Sequence, residues 1–297
     1  MSILSGKNIL LGISGGIAAY KSIFLLRLFI KKGANVQVIM TPSAKDFVTP
    51  LTLSTLSNRP VLSEFFDKKN KNAVWNNHVD LGLWADLFII APATSNTLSK
   101  MASARADNLL LATYLSSKCP VYFAPAMDLD MHKNLANQEN IKKLEDFGKK
   151  HIPVNSGFLA SGLEGEGRMS EPQEIIDFIS QDIKRELKLY NKNVMITAGP
   201  TYESIDAVRF IGNFSSGKMG FALAKTASKL GANVTLITGP SSENLIDDNI
   251  NIINVVTADQ MFAEVKKHFS FSDISIMSAA VSDYKPKNTV NTKIKKE

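Results

Sequence analysis

The chain has 297 residues, a length that suits two α/β domains better than one, and 44% of them are apolar, so each half can bury its own core. Lysine and arginine number 34 against 28 acidic residues, a mild formal excess of +6 carried by short runs (Lys31-Lys32, Lys68-Lys69, Lys149-Lys150, Lys266-Lys267, Lys293 to Lys296); this reads as a solvated basic face that attracts phosphorylated small molecules, not as a nucleic-acid binder. The lone Cys119 and four histidines exclude an internal disulfide and argue against a Cys/His zinc cluster, no apolar run reaches membrane-spanning length and no signal-peptide pattern opens the chain, so a cytoplasmic protein without membrane contact is expected.

Asn8 to Ser14 is a short apolar run ended by glycines and reads as a buried strand. The helix after it carries Ile17, Tyr20, Phe24 and Leu28 at steps of three and four, which predicts one apolar face. Lys31-Lys32-Gly33 ends it with positive charge and a left-handed cap. Strands follow at Asn35 to Met40, Leu87 to Ala91 and Val121 to Ala124, with helices within Asn96 to Leu115 and near Asn134 to Phe147. Glu171-Pro172 opens a further helix to about Leu187. The polar stretch Lys184 to Lys192 marks a boundary, which gives domains 1–187 and 188–297.

The pattern then restarts. Asn193 to Thr197 is a strand, Met219, Leu223, Ala227 and Leu230 predict a helix face, and Gly-Ala-Asn-Val recurs at 231 as it does at 33. Asp273 to Ser278 is the last clear strand before a polar run. Strands alternating with helices give an α/β fold: two doubly wound, Rossmann-like parallel-sheet domains. With three or four strands the second domain is small, and we expect it to be incomplete.

Gly12-Ile-Ser-Gly-Gly-Ile-Ala-Ala-Tyr-Lys21 joins the first strand to the first helix. Glycines let a phosphate approach the backbone and a helix N-terminus offers free N–H groups, with Ser14 adding a hydroxyl. The dinucleotide G-x-G-x-x-G spacing is absent and the second strand ends at Thr41 instead of an acidic residue, so the loop suits a single phosphate better than NAD. A plain glycine turn fits the same letters. Ala91-Pro-Ala-Thr-Ser-Asn-Thr97 places three hydroxyls and an amide at the carboxyl end of a strand; Thr94 or Ser95 as a helix cap is the other reading. His78 is a lone histidine, structural or an acid/base. Pro125-Ala-Met-Asp128 follows another strand, and the glycine-rich Ala160 to Met169 reads as a mobile flap or a long loop.

In this order, the glycine–serine loop, Ala-Pro-Ala-Thr, Asn-His-Val, Pro-Ala-Met and the Gly167-Arg168-Met169 flap end resemble the homo-oligomeric flavin-containing cysteine decarboxylases, over about residues 7 to 180. The resemblance implies a flavodoxin-like fold and FMN, held by Gly12, Ser14, Gly15, Gly16, Ile17 and Thr41 at the phosphate and by Ala91, Pro92, Ala93 and Thr94 along the flavin. It implies trimers of the flavin domain, with FMN at subunit contacts. It implies that flavin takes a hydride from the Cβ of phosphopantothenoylcysteine, that the resulting C=S draws off the electrons as CO₂ leaves, and that the hydride returns to give phosphopantetheine, with His78 as acid/base. Met127 and residue 128 would meet the substrate. Two positions depart from the family. The usual Asn is Asp128, whose ionised carboxylate would repel the substrate carboxylate that the amide binds, so either Asp128 carries a proton or a neighbour takes over. The flap Cys that serves as proton donor is Ser161, which leaves Ser161, Glu164, Glu166 or a water for that step.

Ser215-Ser216-Gly217 before the second domain's helix reads as another phosphate cradle, and Lys218 is not a Walker lysine. Arg209-Phe-Ile-Gly-Asn-Phe-Ser-Ser-Gly-Lys-Met-Gly220 is similar to the phosphopantothenate–cysteine ligase family, in which CTP with Mg²⁺ activates phosphopantothenate as an acyl-cytidylate and cysteine displaces CMP. By that match Asn213 binds the acyl intermediate, Arg209 lies near the substrate, Ala279, Ala280 and Asp283 meet CTP, and Lys293 favours cytidylate formation. Taken as bare composition, the lysines around Lys293 are a solvated tail. The resemblance implies that the ligase domain is cut short here; no acidic cluster identifies metal ligands. Both halves together resemble the bifunctional coenzyme A biosynthesis family, against two alternatives: a non-catalytic flavin-binding regulator and a flavin prenyltransferase-like enzyme.

Overall fold

The computed structural model describes residues 2–66 and 75–295, and the Lys68-Lys69 pair and Lys296 lie outside the described residues. The chain divides into two units, Met1–Asp182 and Ile183–Glu297.

In the first unit, strands and helices alternate: β1 (Asn8–Ile13), α1 (Ala19–Lys31), β2 (Asn35–Met40), α2 (Pro50–Ser57), α3 (His78–Trp84), β3 (Leu87–Ala93), α4 (Ser95–Ala102), α5 (Leu109–Ser116), β4 (Val121–Pro125), α6 (Leu129–Lys133), α7 (Leu135–Asp146) and β5 (Lys150–His151). The five strands form one parallel sheet in the order β2-β1-β3-β4-β5, which is the flavodoxin-like order. β3 and β4 are buried along their whole length, as strands covered by helices on both faces must be. Leu10, Phe88, Ile90, Leu110 and Phe123 fill the side that α5 covers; each such side chain contributes about 1.5–3 kcal/mol on full burial. An antiparallel hairpin, β6 (Asn155–Phe158) and β7 (Glu164–Arg168), follows the sheet, and α8 (Pro172–Arg185) closes the unit.

Three expectations change here. The helix within 96–115 is two helices, because the chain breaks at Ala104, whose φ is +55°. The glycine-rich segment is a hairpin, not an irregular loop: Gly165 and Gly167 take φ values of +159° and +130°, and a side chain at either would strike Leu129 or the Met127 carbonyl. The face read on α1 is the outward one. Ile17, Tyr20 and Phe24 are 62%, 47% and 58% exposed, while Ser22, Leu25, Leu26 and Phe29 are buried. Gly33 does take the left-handed conformation that ends α1, at φ +85°.

The second unit contains β8 (Asn193–Ala198), β9 (Tyr202–Ser204), β10 (Phe210–Gly212), α9 (Lys218–Lys229), β11 (Asn233–Thr238), β12 (Ile250–Asn254), α10 (Ala258–Phe269) and β13 (Ile274–Met277). Its parallel sheet runs β12-β11-β8-β13, a Rossmann half, with β9 and β10 as a separate hairpin. Ile196, Phe221, Ala224 and Leu236 pack on one face, and Met195, Ile237, Val255 and Met261 on the other. The face read on α9 is again rotated: Met219 is exposed and Gly220, Phe221, Ala224 and Ala227 face the sheet. A Cβ on Gly220 would stand 2.4 Å from that of Ala198, so the helix approaches β8 too closely for a larger residue. No helix among the described residues is long and apolar enough to cross a membrane.

Candidate functional site

The carboxyl ends of β1, β2, β3 and β4 converge on a cleft of about 540 Å³, lined by Gly15, Thr41, Ser43, Thr94 to Thr97, Lys100, Asp107, Asn108, Met127 and Met131, among others. It lies where the strand order reverses between β1 and β3, the place where open α/β sheets bind ligands. A smaller cavity of about 380 Å³ lies at the amino edge of the second sheet beside Asn193 and Asn233 and contains none of the motif residues. We place the chemistry at the carboxyl ends, where loop hydroxyls and helix N-termini gather.

The turn after β1 is built for close approach. A Cβ on Gly15 would be 2.5 Å from Ser43 Oγ and 2.8 Å from the Ser43 carbonyl carbon; one on Gly16 would be 3.1 Å from Thr94 Cγ2. Ser14 is buried, and its hydroxyl donates to the Pro92 carbonyl (2.7 Å) and accepts from the Thr94 N–H (3.0 Å). Its proton is therefore committed to the neighbouring loop, and Ser14 ties the turn after β1 to the segment after β3. Thr41 is buried, 3.3 Å from Ser43 through the two hydroxyls. Neither α1 nor α4 has a side-chain cap or an acidic residue in its first turn; at α1 the N–H groups of Ala19, Tyr20 and Lys21 already donate to Gly16, Ile17 and Ala18, so it is the start of α4 that keeps its donors and partial positive charge for a ligand. The residues present thus fit an FMN phosphate: glycines that allow contact, hydroxyls and unpaired N–H donors. Gly12, Ala91, Pro92 and Ala93 stand behind this wall within the strands, and Ile17 faces outward.

Asp128 and Ser161, the two departures from the family pattern, meet each other. Ser161 Oγ donates to Asp128 Oδ1 at 3.0 Å, and the same oxygen caps α6 by accepting from the Leu129 N–H at 2.7 Å. The hairpin also hooks onto this loop through the Met127 N–H to the Gly167 carbonyl (3.0 Å). His78 does not line the cleft. It begins α3, which packs against α5, with its ring edge-on to Phe65 (6.0 Å) and tilted to Trp75 (6.3 Å). Its Nδ1 is buried with no hydrogen-bond partner among the described residues. Burial pushes the Cys119 thiol up to about 11, so it stays protonated and unreactive as a thiolate at neutral pH.

In the second unit, Ala279 and Ala280 lie at the carboxyl ends of β8 and β13: the Ala280 N–H donates to Gly199, its carbonyl accepts from Thr201, and the Ala279 N–H donates to Thr197 Oγ1. Asn213 Nδ2 donates to the Val281 carbonyl at 2.8 Å. Arg209 is not free. Its Nε donates to Asp206 at 2.9 Å and another nitrogen to the Ile294 carbonyl, while the Ile294 N–H also reaches Asp206. Asp206 was not singled out from the sequence. It is buried, and the Arg209 guanidinium and then the backbone N–H groups hold its carboxyl far below the usual carboxylate range. Ile294, the neighbour of Lys293, is thereby tied to both Asp206 and Arg209; Asp283 and Lys293 are exposed. Ser215 and Ser216 accept from the N–H groups of Gly217 and Lys218. Among the described residues no group of three or more His, Cys, Asp or Glu side chains is placed to hold a metal ion.

In the first unit the sequence reading missed Ser43, Lys100, Asp107 and Asn108. Ser43 lies three residues past the end of the second strand, which was a usable signal; Lys100 and Asp107 pair at 2.6 Å across the break between α4 and α5, which no spacing announces.

Residues 2–184 match the family model described as Flavoprotein, and residues 189–297 match the DNA/pantothenate metabolism flavoprotein C-terminal domain. Along its whole length the chain is 45% identical to the coenzyme A biosynthesis bifunctional protein CoaBC of Vibrio vulnificus strain YJ016, spanning 73% of that protein. The chain belongs to the coenzyme A biosynthesis flavoprotein family. Another relative, from an unknown prokaryotic organism and named a cysteine/cysteine sulfinic acid decarboxylase, is 51% identical over 84% of this chain and 70% of its own length. Among solved structures, a PPC decarboxylase mutant complexed with pantothenoylaminoethenethiol is similar over 60% of this chain and 99% of its own, at 30% identity and a TM-score of 0.53. The FMN-dependent cysteine decarboxylase SpaF covers 60% of this chain and 98% of its own, at 26% identity and a TM-score of 0.51. The first unit therefore stands with the flavin-dependent decarboxylases of the family.

Proposed function

We propose that residues 1–187 form an FMN-dependent decarboxylase that converts 4'-phosphopantothenoylcysteine to 4'-phosphopantetheine. The observation that carries this reading is the convergence of the Gly15-Gly16 turn, Ser43 and the uncapped start of α4 on one cleft at the β1/β3 switch point. FMN, when bound, supplies the hydride acceptor and donor. The chain's part is to bind its phosphate with backbone N–H groups and hydroxyls, to line the flavin with Ala91 to Thr94, and to cover the substrate with the β6–β7 hairpin. We assign Met127 and Asp128 to the substrate and Ser161, whose hydroxyl donates to Asp128, to the proton transfer.

The reading includes a homo-oligomer, with the flavin domains as trimers. The outward apolar face of α1, together with exposed Leu51 and Phe47, fits a contact between copies, as does exposed Trp75 beside His78. A neighbouring copy would then bring His78 to a cleft that this chain's own His78 does not line.

Residues 188–297 carry part of a CTP-dependent phosphopantothenate–cysteine ligase, with Mg²⁺ on the triphosphate. Arg209, Asn213, Ala279, Ala280, Asp283 and Lys293 are its binding residues. The switch-point position of Ala279-Ala280 and the Asp206 link between Arg209 and the Lys293 segment support that assignment.

Incubation of the purified protein with 4'-phosphopantothenoylcysteine under nitrogen tests the decarboxylase. CO₂ and 4'-phosphopantetheine in equal amounts are expected; flavin-loaded protein that releases neither defeats the proposal. A second reading, decarboxylation of free cysteine, is favoured by Asp128, whose carboxylate suits an ammonium that the acylated substrate lacks. Cysteine in the same assay decides between them.

A further inference from the structure

Lys21 is a charged residue placed where a helix should present an apolar one. It sits in the first turn of α1, 3% exposed, on the face turned to the interior. Its ammonium donates to the Met169 carbonyl (2.7 Å) and to Glu171 Oε1 (2.9 Å), and Arg168 donates to the same carboxylate oxygen (2.7 Å). These three residues are the end of β7 and its exit. An apolar residue of similar length would fill the space without the desolvation cost of a buried ammonium, so packing alone does not call for lysine.

The tip of the hairpin is held by the exposed bond from Ser161 to Asp128 and by the Leu159 N–H to Leu163 within the turn, while the Met127 N–H donates to the buried Gly167 next to the Lys21 anchor. We propose that Lys21 is a positioning residue for the decarboxylase: it fixes the base of the β6–β7 hairpin, so that Gly167 stays on Met127 at the cleft wall and Ser161 reaches Asp128. Lys21 does not line the cleft, and it acts through the hairpin. This inference rests on the decarboxylase reading of that cleft, but its physical core does not need a substrate.

Lys21→Met keeps the aliphatic stem and removes the charge. Amide hydrogen exchange on the flavin-loaded full chain should speed at Met127 and Leu159 by about tenfold or more, with β1 and β3 unchanged. With 4'-phosphopantothenoylcysteine, KM should rise about tenfold while kcat falls by less than about threefold. In a Lys21→Met/Ser161→Ala pair the KM effects should be less than additive, because both act through the closed hairpin. Unchanged exchange at Met127 and Leu159, an equal acceleration in β1 and β3, or a fall in kcat with KM unchanged overturns the proposal. Should Lys21→Met not fold, Glu171→Gln, at a half-exposed carboxylate, carries the exchange test with the same expected and contrary results. A protein that turns over no substrate before any substitution sinks the decarboxylase reading, while the exchange arm still decides the role of Lys21.

Discussion

Gly15 is the position at which one added carbon tests the cleft. Its missing Cβ leaves room for Ser43, whose carbonyl carbon would otherwise be 2.8 Å away and is backbone that has no rotamer to escape with. Gly15→Ala should weaken FMN binding by about tenfold, ~1.4 kcal/mol, measured as flavin retained through dialysis, with the fold intact by circular dichroism. The turn, Thr41, Thr94 and Met127 were legible in the sequence because each directly follows a strand, and strand ends are where ligands bind in such sheets. Ser14 was read as a phosphate donor, yet its one proton goes to Pro92, a partner 78 residues away that no local pattern reveals. Asp128 and Ser161 were both noticed as departures from the family. That they form one hydrogen-bonded unit is visible only once the hairpin lies over α6.

At the level of elements, the strands were legible because each main one is an apolar run closed by glycine or a polar turn. The helix faces of α1 and α9 were not. Counting only part of the large apolar residues picked the wrong stripe, because the inward faces mix small residues at the closest approach to the sheet, Ala19 and Ser22 in one case and Gly220 and Ala224 in the other, with Leu25, Leu26 and Phe29 or Phe221. β5 is too short to read, yet it carries His151, stacked on Phe123 at 5.2 Å with Nδ1 2.9 Å from Glu145. Burial lowers the His151 pKa, and the contact with Glu145 offsets part of that. A histidine depressed in the folded state binds its proton more readily when unfolded, so stability is lost as pH falls through the unfolded value near ~6.5. The urea midpoint of the unaltered protein should drop between pH 7.5 and 5.5, and His151→Gln should flatten that drop. An identical slope in the two proteins contradicts the assignment.

For the whole molecule, each unit has its own two-sided core and its own parallel sheet. The repeat of strand, loop, helix and Gly-Ala-Asn-Val made this division readable. The proposed assembly of copies was expected from the family resemblance and not from composition; an exposed apolar face and a histidine whose buried nitrogen has no partner among the described residues support it. Phe24→Glu places a charge in the middle of that face. If the proposed trimer forms through this face, the substitution should convert it to single chains in light scattering and, by separating the cleft from the neighbouring copy, lower FMN retention as well. A trimer that persists with full flavin would place the subunit contact elsewhere.

The proposed decarboxylase depends on a phosphate held between the turn after β1 and the start of α4. Titration of the flavin-free protein with FMN and with riboflavin, which differ by that phosphate alone, tests it most directly. FMN should bind at least about a hundredfold more tightly, ~2.7 kcal/mol, and Gly15→Ala should remove much of the difference. Equal affinity for the two flavins would contradict it.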